Sequence, residues 1–203
     1  MKYERALRAD GFLVIAGVDE VGRGPLAGPV CAAAVILPEK FRHKMLNDSK
    51  KLSERQREEI YGDLTADGRI LWNCVMVEVD EIDRVNILQA TWVAMRRAVD
   101  GLPVKPDAAL IDGTAVRDFP VHHRALVGGD GLSFSIAAAS VIAKVTRDRL
   151  MRALAMKHPE YGFDEHKGYG TPRHLEALRR HGPCPVHRRS FEPVAQTYFS
   201  FDA

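Results

Sequence analysis

The sequence predicts an α/β protein with a mixed central sheet flanked by helices and a helical C-terminal extension. Three features predict it. Short apolar, β-branched runs of strand length recur between glycine and proline punctuation. Apolar residues at three- and four-residue steps mark helices between several of them. No apolar run approaches the ~18–20 residues of a membrane helix. The 203 residues, 46% hydrophobic and 28% charged, suffice for one sizeable core and exclude a disordered or collagen-like chain. Residues 1–203 read as one domain, with about 160–203 as a basic helical extension of it.

The elements follow in order. Phe12–Glu20 is a strand-like run that meets the glycine-rich turn Val21–Pro29, and a second apolar run, Val30–Leu37, stops at Pro38. Ser53 and Gln56 stand at capping-box spacing and open a helix reaching about Thr65. Ile70–Val79 is apolar and β-branched enough for a third strand. Ile82, Val85, Leu88, Trp92, Met95 and Val99 line one helix face, and Gly101 is placed to end that helix. Ala108–Asp112 and Val121–Val127 are two further short strands. From Ser133 a long helix runs to His158-Pro159, its alanines and serines suited to close approach onto a sheet. Thr171 caps a last helix with Pro172 at its first position, and Gly182 closes it.

Charge is nearly balanced, with 29 Lys and Arg against 27 Asp and Glu. Its distribution is uneven. Residues 141–190 carry +6 and five histidines, leaving −4 for the remainder. A basic C-terminal region beside an acidic remainder suits docking of a polyanion on one side; a solvated surface gives the same numbers. Cys31, Cys74 and Cys184 form no CxxC pair, so they read as buried thiols of a protein in a reducing cytoplasm. The N-terminus has neither the apolar stretch nor the cleavage site of a secretory signal. The tail after Phe191 reads as too short for a partner-binding extension.

Chemistry points to acids at strand ends. Asp19-Glu20 precedes Val21-Gly22-Arg23-Gly24, Asp112 precedes Gly113, and Asp130 lies between Gly129 and Gly131. Ligands of open α/β sheets bind at the carboxyl ends of strands. Acids gathered there repel one another unless protonated, paired or bridged by a cation. All-oxygen donors favour Mg²⁺ or Mn²⁺ over zinc and invite metal-assisted phosphoryl transfer. Taken singly, each acid reads first as an ordinary turn or helix-capping residue, Asp130 before a helix most of all. Adjacent residues of a regular strand face opposite ways, so Asp19 and Glu20 share a site only if the glycine-rich turn distorts the strand or one of them lends its carbonyl.

Six segments in order resemble bacterial ribonuclease HII. They are Gly17–Val30 (GVDEVGRGPLAGPV), Leu46–Glu54 (LNDSKKLSE), Leu110–Gly113 (LIDG), GGD with Ser135–Met151 (SIAAASVIAKVTRDRLM), His166–His174 (HKGYGTPRH) and His187–Phe191 (HRRSF). The sister type, ribonuclease HIII, is expected to read DESGKG where this chain reads DEVGRG. The resemblance implies a ribonuclease H-like fold and a four-carboxylate catalytic and metal site of Asp19, Glu20, Asp112 and Asp130, taking Mg²⁺ or Mn²⁺. Asp19 with Asp112 or Asp130 would form the paired ligands. It also implies endonucleolytic cleavage of the RNA strand of RNA–DNA hybrids, and of single ribonucleotides in duplex DNA on their 5′ side, leaving 3′-hydroxyl and 5′-phosphate ends.

The same resemblance assigns reading of the 2′-hydroxyl to the Gly22-Arg23-Gly24 backbone and to Tyr169. Lys50, Lys51, Lys144, Lys167, Arg188 and Arg189 are candidate phosphate contacts, which position a duplex without reading its sequence. The histidines, His166 and His187 among them, lack zinc spacing and are left between phosphate binding and helix capping. The expected protein is a monomer that meets nucleic acid and no membrane. Two other readings stand beside it: a nuclease of the same fold acting on DNA junctions or RNA alone, and a binding module without catalysis.

Overall fold

The computed structural model describes residues 2–46 and 52–201. Its elements are α1 (Lys2–Ala9), β1 (Ile15–Val21), β2 (Val30–Ile36), α2 (Glu54–Ala66), β3 (Leu71–Val77), α3 (Val79–Val85), α4 (Ile87–Asp100), β4 (Ala108–Asp112), β5 (His122–Leu126), α5 (Phe134–Lys157), α6 (Phe163–His166), α7 (Pro172–His181) and α8 (Val194–Phe201). The strands form one sheet in the order β3-β2-β1-β4-β5. β1, β2 and β3 pair antiparallel, whereas β4 and β5 run parallel to β1. The predicted mixed sheet is therefore present, with helices on both faces.

Alternation along β2 sorts the two cores. Ala32 and Ala34 face α4 through Ala90, Ala94 and Ala98, while Cys31, Ala33 and Val35 face α5 and α2 through Ala138, Ile142, Ile60 and Leu64. Small residues bring α5 very close to β1. A β-carbon on Gly17 would stand 2.0 Å from the Ser135 carbonyl carbon and 2.3 Å from the Ile136 nitrogen. Beyond the sheet, α6, α7 and α8 share a third cluster in which Tyr161, Phe163, Leu178 and Val194 pack on Leu26, Ala27 and Met151.

Several boundaries differ from the sequence reading. The helix expected to span Ile82 to Val99 is two helices, broken at Asn86. That residue takes φ 70° and caps α4 by accepting the Gln89 N–H at 3.1 Å. The apolar stripe continues across the break because both helices face the same core. The third strand stops at Val77, and Val79 already opens α3. The capping box at Ser53 and Gln56 is formed, as is the Thr171 cap. α1 and α8 had no counterpart in the sequence reading. In α1 the buried Leu7 and Glu4 face inward, and Glu4 accepts from the Ser133 and Ser135 hydroxyls at 2.7 and 3.0 Å. All three cysteines are free thiols, with Cys31 and Cys184 buried and Cys74 half-buried. Cys31 and Cys74 lie 3.3 Å apart, sulfur to sulfur.

Candidate active site

The parallel pairing of β1 and β4 ends at Val18 opposite Ile111. One residue further, Asp19 and Asp112 stand past the last β1–β4 pair, Asp19 still in register with Ala33 of β2 and Asp112 with Leu126 of β5. With Glu20 they line a cleft of about 360 Å³, whose walls also include Gly22, Arg23 and Gly24 from the turn, Ser140 and Lys144 from α5, Arg57 from α2, and Tyr169. Strand alternation is kept, with Asp19 and Glu20 in register with Ala33 and Ala32 of β2, and the two acids line the cleft from opposite faces where the β1–β4 pairing ends. Asp19 enters it from the α5 face, where Ser140 hydrogen-bonds its carboxylate. Glu20 enters from the α4 face, beside a smaller hollow lined by Thr91, Trp92 and Gly113.

The electrostatics are those of crowded acids. Burial first, then the charges of Glu20 and Asp112, push the Asp19 carboxyl well above the usual carboxylate range; bonds from Ser140 and the Glu20 N–H (2.8 Å) only partly offset this. Burial and Asp112 also raise Glu20, against the opposing charge of Arg23 at 3.4 Å. Asp112 accepts the Gly129 N–H at 2.6 Å.

The fourth acid stands on the turn whose Gly129 N–H donates to Asp112. Asp130 is 4% exposed, in a short 3₁₀ turn (Gly129–Gly131), and its carboxylate accepts the Gly131 N–H at 3.1 Å. It lines a neighbouring hollow with His43, Lys44 and Phe134 rather than the cleft of the other three. Nor does it cap the long helix, since Ser133 takes that role by accepting the Ile136 N–H. Among the described residues no three His, Cys, Asp or Glu side chains are grouped so as to hold a metal ion by themselves.

The expected substrate contacts divide. Tyr169, 44% exposed, lines the cleft, and a β-carbon on Gly24 would touch its ring at 3.5 Å. Lys144 lines the cleft and pairs with Asp148 at 2.8 Å. Lys167 lies outside it, its ammonium donating to the Asp164 carbonyl. Lys50 and Lys51 fall outside the described residues. Arg188 requires a correction. Its side chain is fully buried and its guanidinium donates to the Gly22, Arg23 and Gly28 carbonyls, so it presents nothing to a phosphate.

The basic C-terminal region is also less available than its charge implied. Arg147 is buried on the Ala27, Pro29 and Lys167 carbonyls. Arg149 and Arg152 pair with Glu58, and Arg179 and Arg180 with Glu176.

The histidines form a structural relay. The Cys184 N–H donates to His187 Nδ1 at 3.0 Å, which leaves the His187 proton on Nε2, facing His174 Nε2 at 3.0 Å. His174 must then carry its proton on Nδ1, donating to the Tyr169 carbonyl at 2.9 Å. Burial lowers His174 to about 4 and His187 to about 3, keeping both neutral.

Sequence reasoning missed Arg57 and Ser140. For Ser140 a signal existed: Ser140, Lys144 and Asp148 recur at four-residue steps, a polar stripe along one face of the long helix. Arg57 gave none, because only the packing of α2 turns it to the cleft.

Comparison with known proteins now bears on this geometry. Residues 16–194 match the family model described as ribonuclease HII. A ribonuclease HII of Xanthomonas oryzae pv. oryzae is 54% identical over 188 residues, covering 92% of this chain and 74% of that protein. One from Desulfitobacterium hafniense is 53% identical over 196 residues, covering 97% and 75%. The fold is similar to the crystal structure of ribonuclease H2 from Pyrococcus horikoshii, with a TM-score of 0.79, 28% identity, and coverage of 94% of this chain and 99% of that one. With the acid-lined cleft at the ends of β1 and β4, these matches establish that the chain belongs to the ribonuclease HII family and is a hydrolase of the ribonuclease H class.

Proposed function

We propose that this protein hydrolyses the RNA strand of RNA–DNA hybrids and cuts duplex DNA on the 5′ side of an embedded single ribonucleotide, leaving 3′-hydroxyl and 5′-phosphate ends with Mg²⁺ or Mn²⁺ as cofactor. One observation carries the reading. Asp19, Glu20 and Asp112 share a single cleft with the Gly22-Arg23-Gly24 backbone and Tyr169. Acids able to hold a cation thus stand beside groups able to hydrogen-bond a ribose.

The donors fit such a cation. All are oxygens; burial first, and then repulsion from Glu20 and Asp112, raises Asp19, and that repulsion is what a divalent ion relieves. An open set also fits, since Mg²⁺ is held by one or two carboxylates with water and substrate phosphate rather than by a protein cage. Asp19, Glu20 and Asp112 would be the holders, with Asp130 acting from the adjacent turn. Bound there, the cation supplies activation of a water nucleophile and stabilisation of the departing 3′-oxygen.

The chain's own groups do the rest. Arg23, half-exposed at the cleft, and Arg57 and Lys144 along its wall offer cationic contacts to the strand's phosphates. The Gly22-Arg23-Gly24 amides and the Tyr169 ring would meet the sugar at the cut, where the 2′-hydroxyl both donates and accepts hydrogen bonds.

The test is a labelled DNA duplex with one ribonucleotide beside an all-DNA control, incubated with Mg²⁺, with Mn²⁺ or with chelator. One metal-dependent cut 5′ of the ribonucleotide, absent from the control, is expected. Cleavage of long hybrids only would remove the junction specificity. No cleavage by folded protein would leave a binding module.

A further inference from the structure

Arg188 and Arg147 are the largest fully buried side chains among the described residues, and no carboxylate among those residues forms an ion pair with either guanidinium. Their partners are backbone carbonyls. Arg188 donates to Gly28 at 3.0 Å, Arg23 at 2.9 Å and Gly22 at 2.5 Å, and Arg147 donates to Pro29 at 2.9 Å and Ala27 at 3.1 Å. Two cations thus turn five carbonyls of one eight-residue loop inward. Burying like charges together is costly unless hydrogen bonds compensate, and a hydrophobic pair would fill the same space at lower cost.

The peptide geometry supplies a use for that arrangement. A trans peptide sets the carbonyl of one residue opposite the N–H of the next. With the Gly22 and Arg23 carbonyls on Arg188, the Arg23 and Gly24 N–H groups point away from it. Gly22, Arg23 and Gly24 line the cleft, whereas the buried Arg188 does not. Neither N–H has an acceptor among the described residues. Arg188 is itself fixed from behind, where Asp83 accepts the Arg189 N–H, the Ser190 N–H and the Ser190 hydroxyl at 2.9, 3.0 and 2.6 Å.

We propose that Arg188 is a positioning residue for ribose recognition: its planar fork rolls the Gly22–Gly24 peptides so that the Arg23 and Gly24 N–H groups face the cleft and donate to the sugar oxygens of the strand. The C-terminal segment thereby shapes the cleft without touching substrate. This rests on the ribose reading given under Proposed function. A lysine keeps the charge but cannot span carbonyls in a plane.

The experiment measures affinity for a duplex with one ribonucleotide and for the matching all-DNA duplex, in chelator so that nothing is cut, for wild type and Arg188→Lys, each with its melting temperature. Wild type should prefer the ribonucleotide duplex. Arg188→Lys should lose about tenfold of that preference while all-DNA affinity changes by less than about threefold. A merely structural role would lower melting temperature and leave the ratio intact. A folded variant with the wild-type ratio overturns the role given to Arg188 alone. A wild type that shows no preference in chelator and cuts neither duplex once Mg²⁺ is supplied overturns the proposed function itself, and this inference with it. Should Arg188→Lys fail to fold, amide resonances of the wild type decide. Shifts of Arg23 and Gly24 with the ribonucleotide duplex, and not with all-DNA, support the proposal, and equal response to both overturns it.

Discussion

Asp112 Oδ1 accepts the Gly129 N–H at 2.6 Å, tying the last residue of β4 to the turn that carries Asp130. The two acids lie in different hollows yet are joined through one backbone bond. The bond fixes the Asp130 turn relative to Asp112 and so to the cleft that Asp112 lines.

Asp130→Asn should keep duplex binding and lose about 10- to 100-fold in cleavage, the range for groups that act through a metal's surroundings. Asp112→Asn should lose more, while its side-chain oxygen still accepts the Gly129 N–H. Gel-shift affinity in chelator, beside initial cleavage rates with Mg²⁺, checks both. Wild-type cleavage by Asp130→Asn would remove it from the site.

Stability of the metal-free protein should respond to Asp19. Its carboxyl titrates well above the ordinary range in the fold because of burial and its acidic neighbours. The folded state therefore binds a proton that the unfolded state releases, and stability falls as pH rises from the unfolded value toward the folded one. Asp19→Asn should melt higher than wild type at pH 7 in chelator, by about 2–4 °C for each ~1 kcal/mol relieved. The gap should close near pH 3–4, where both forms are neutral. Mg²⁺ should raise the wild-type melting temperature more than that of the variant.

The histidine relay sets an acid limit of opposite sign. His174 and His187 are held neutral at about 4 and about 3, below the ordinary histidine range. Their contribution is complete above about pH 6.5 and declines as pH falls toward those values, by at most about 1.4 kcal/mol per pH unit for each ring. Denaturant midpoints between pH 7 and 4 measure it. His187→Asn should flatten the profile, and hydrogen exchange should find the Tyr169 segment opening before the sheet.

Gly17→Ala should destabilise the fold by about 3 kcal/mol or more, because the added carbon meets the Ser135 and Ile136 backbone, which cannot rotate aside. Gly62→Ala, with open space around it on α2, is the control and should be neutral or slightly stabilising. Thermal melts of the two separate close packing from loss of a glycine as such.

What the sequence determined by itself is what depends on short-range patterns. The strands at Val30–Ile36 and Ala108–Asp112, the Ser53 and Thr171 caps and the long helix from Ser133 follow from propensity, spacing and side-chain-to-backbone bonds within a few residues. The motifs that mark the family are equally local, and they pointed to Asp19, Glu20, Asp112 and Asp130 before any contact was known. The tertiary structure decided which of these meet. Asp19 and Asp112, 93 positions apart, become neighbours only because β4 pairs parallel to β1. Asp130 sits on a turn held at Gly129, whose N–H donates to Asp112 and whose carbonyl accepts the Ser133 N–H. Arg188, which composition marks as a surface cation, lies under a turn some 165 residues earlier. A charged residue's sequence neighbours do not reveal whether folding will surround it with water or with carbonyls, because that depends on segments far along the chain.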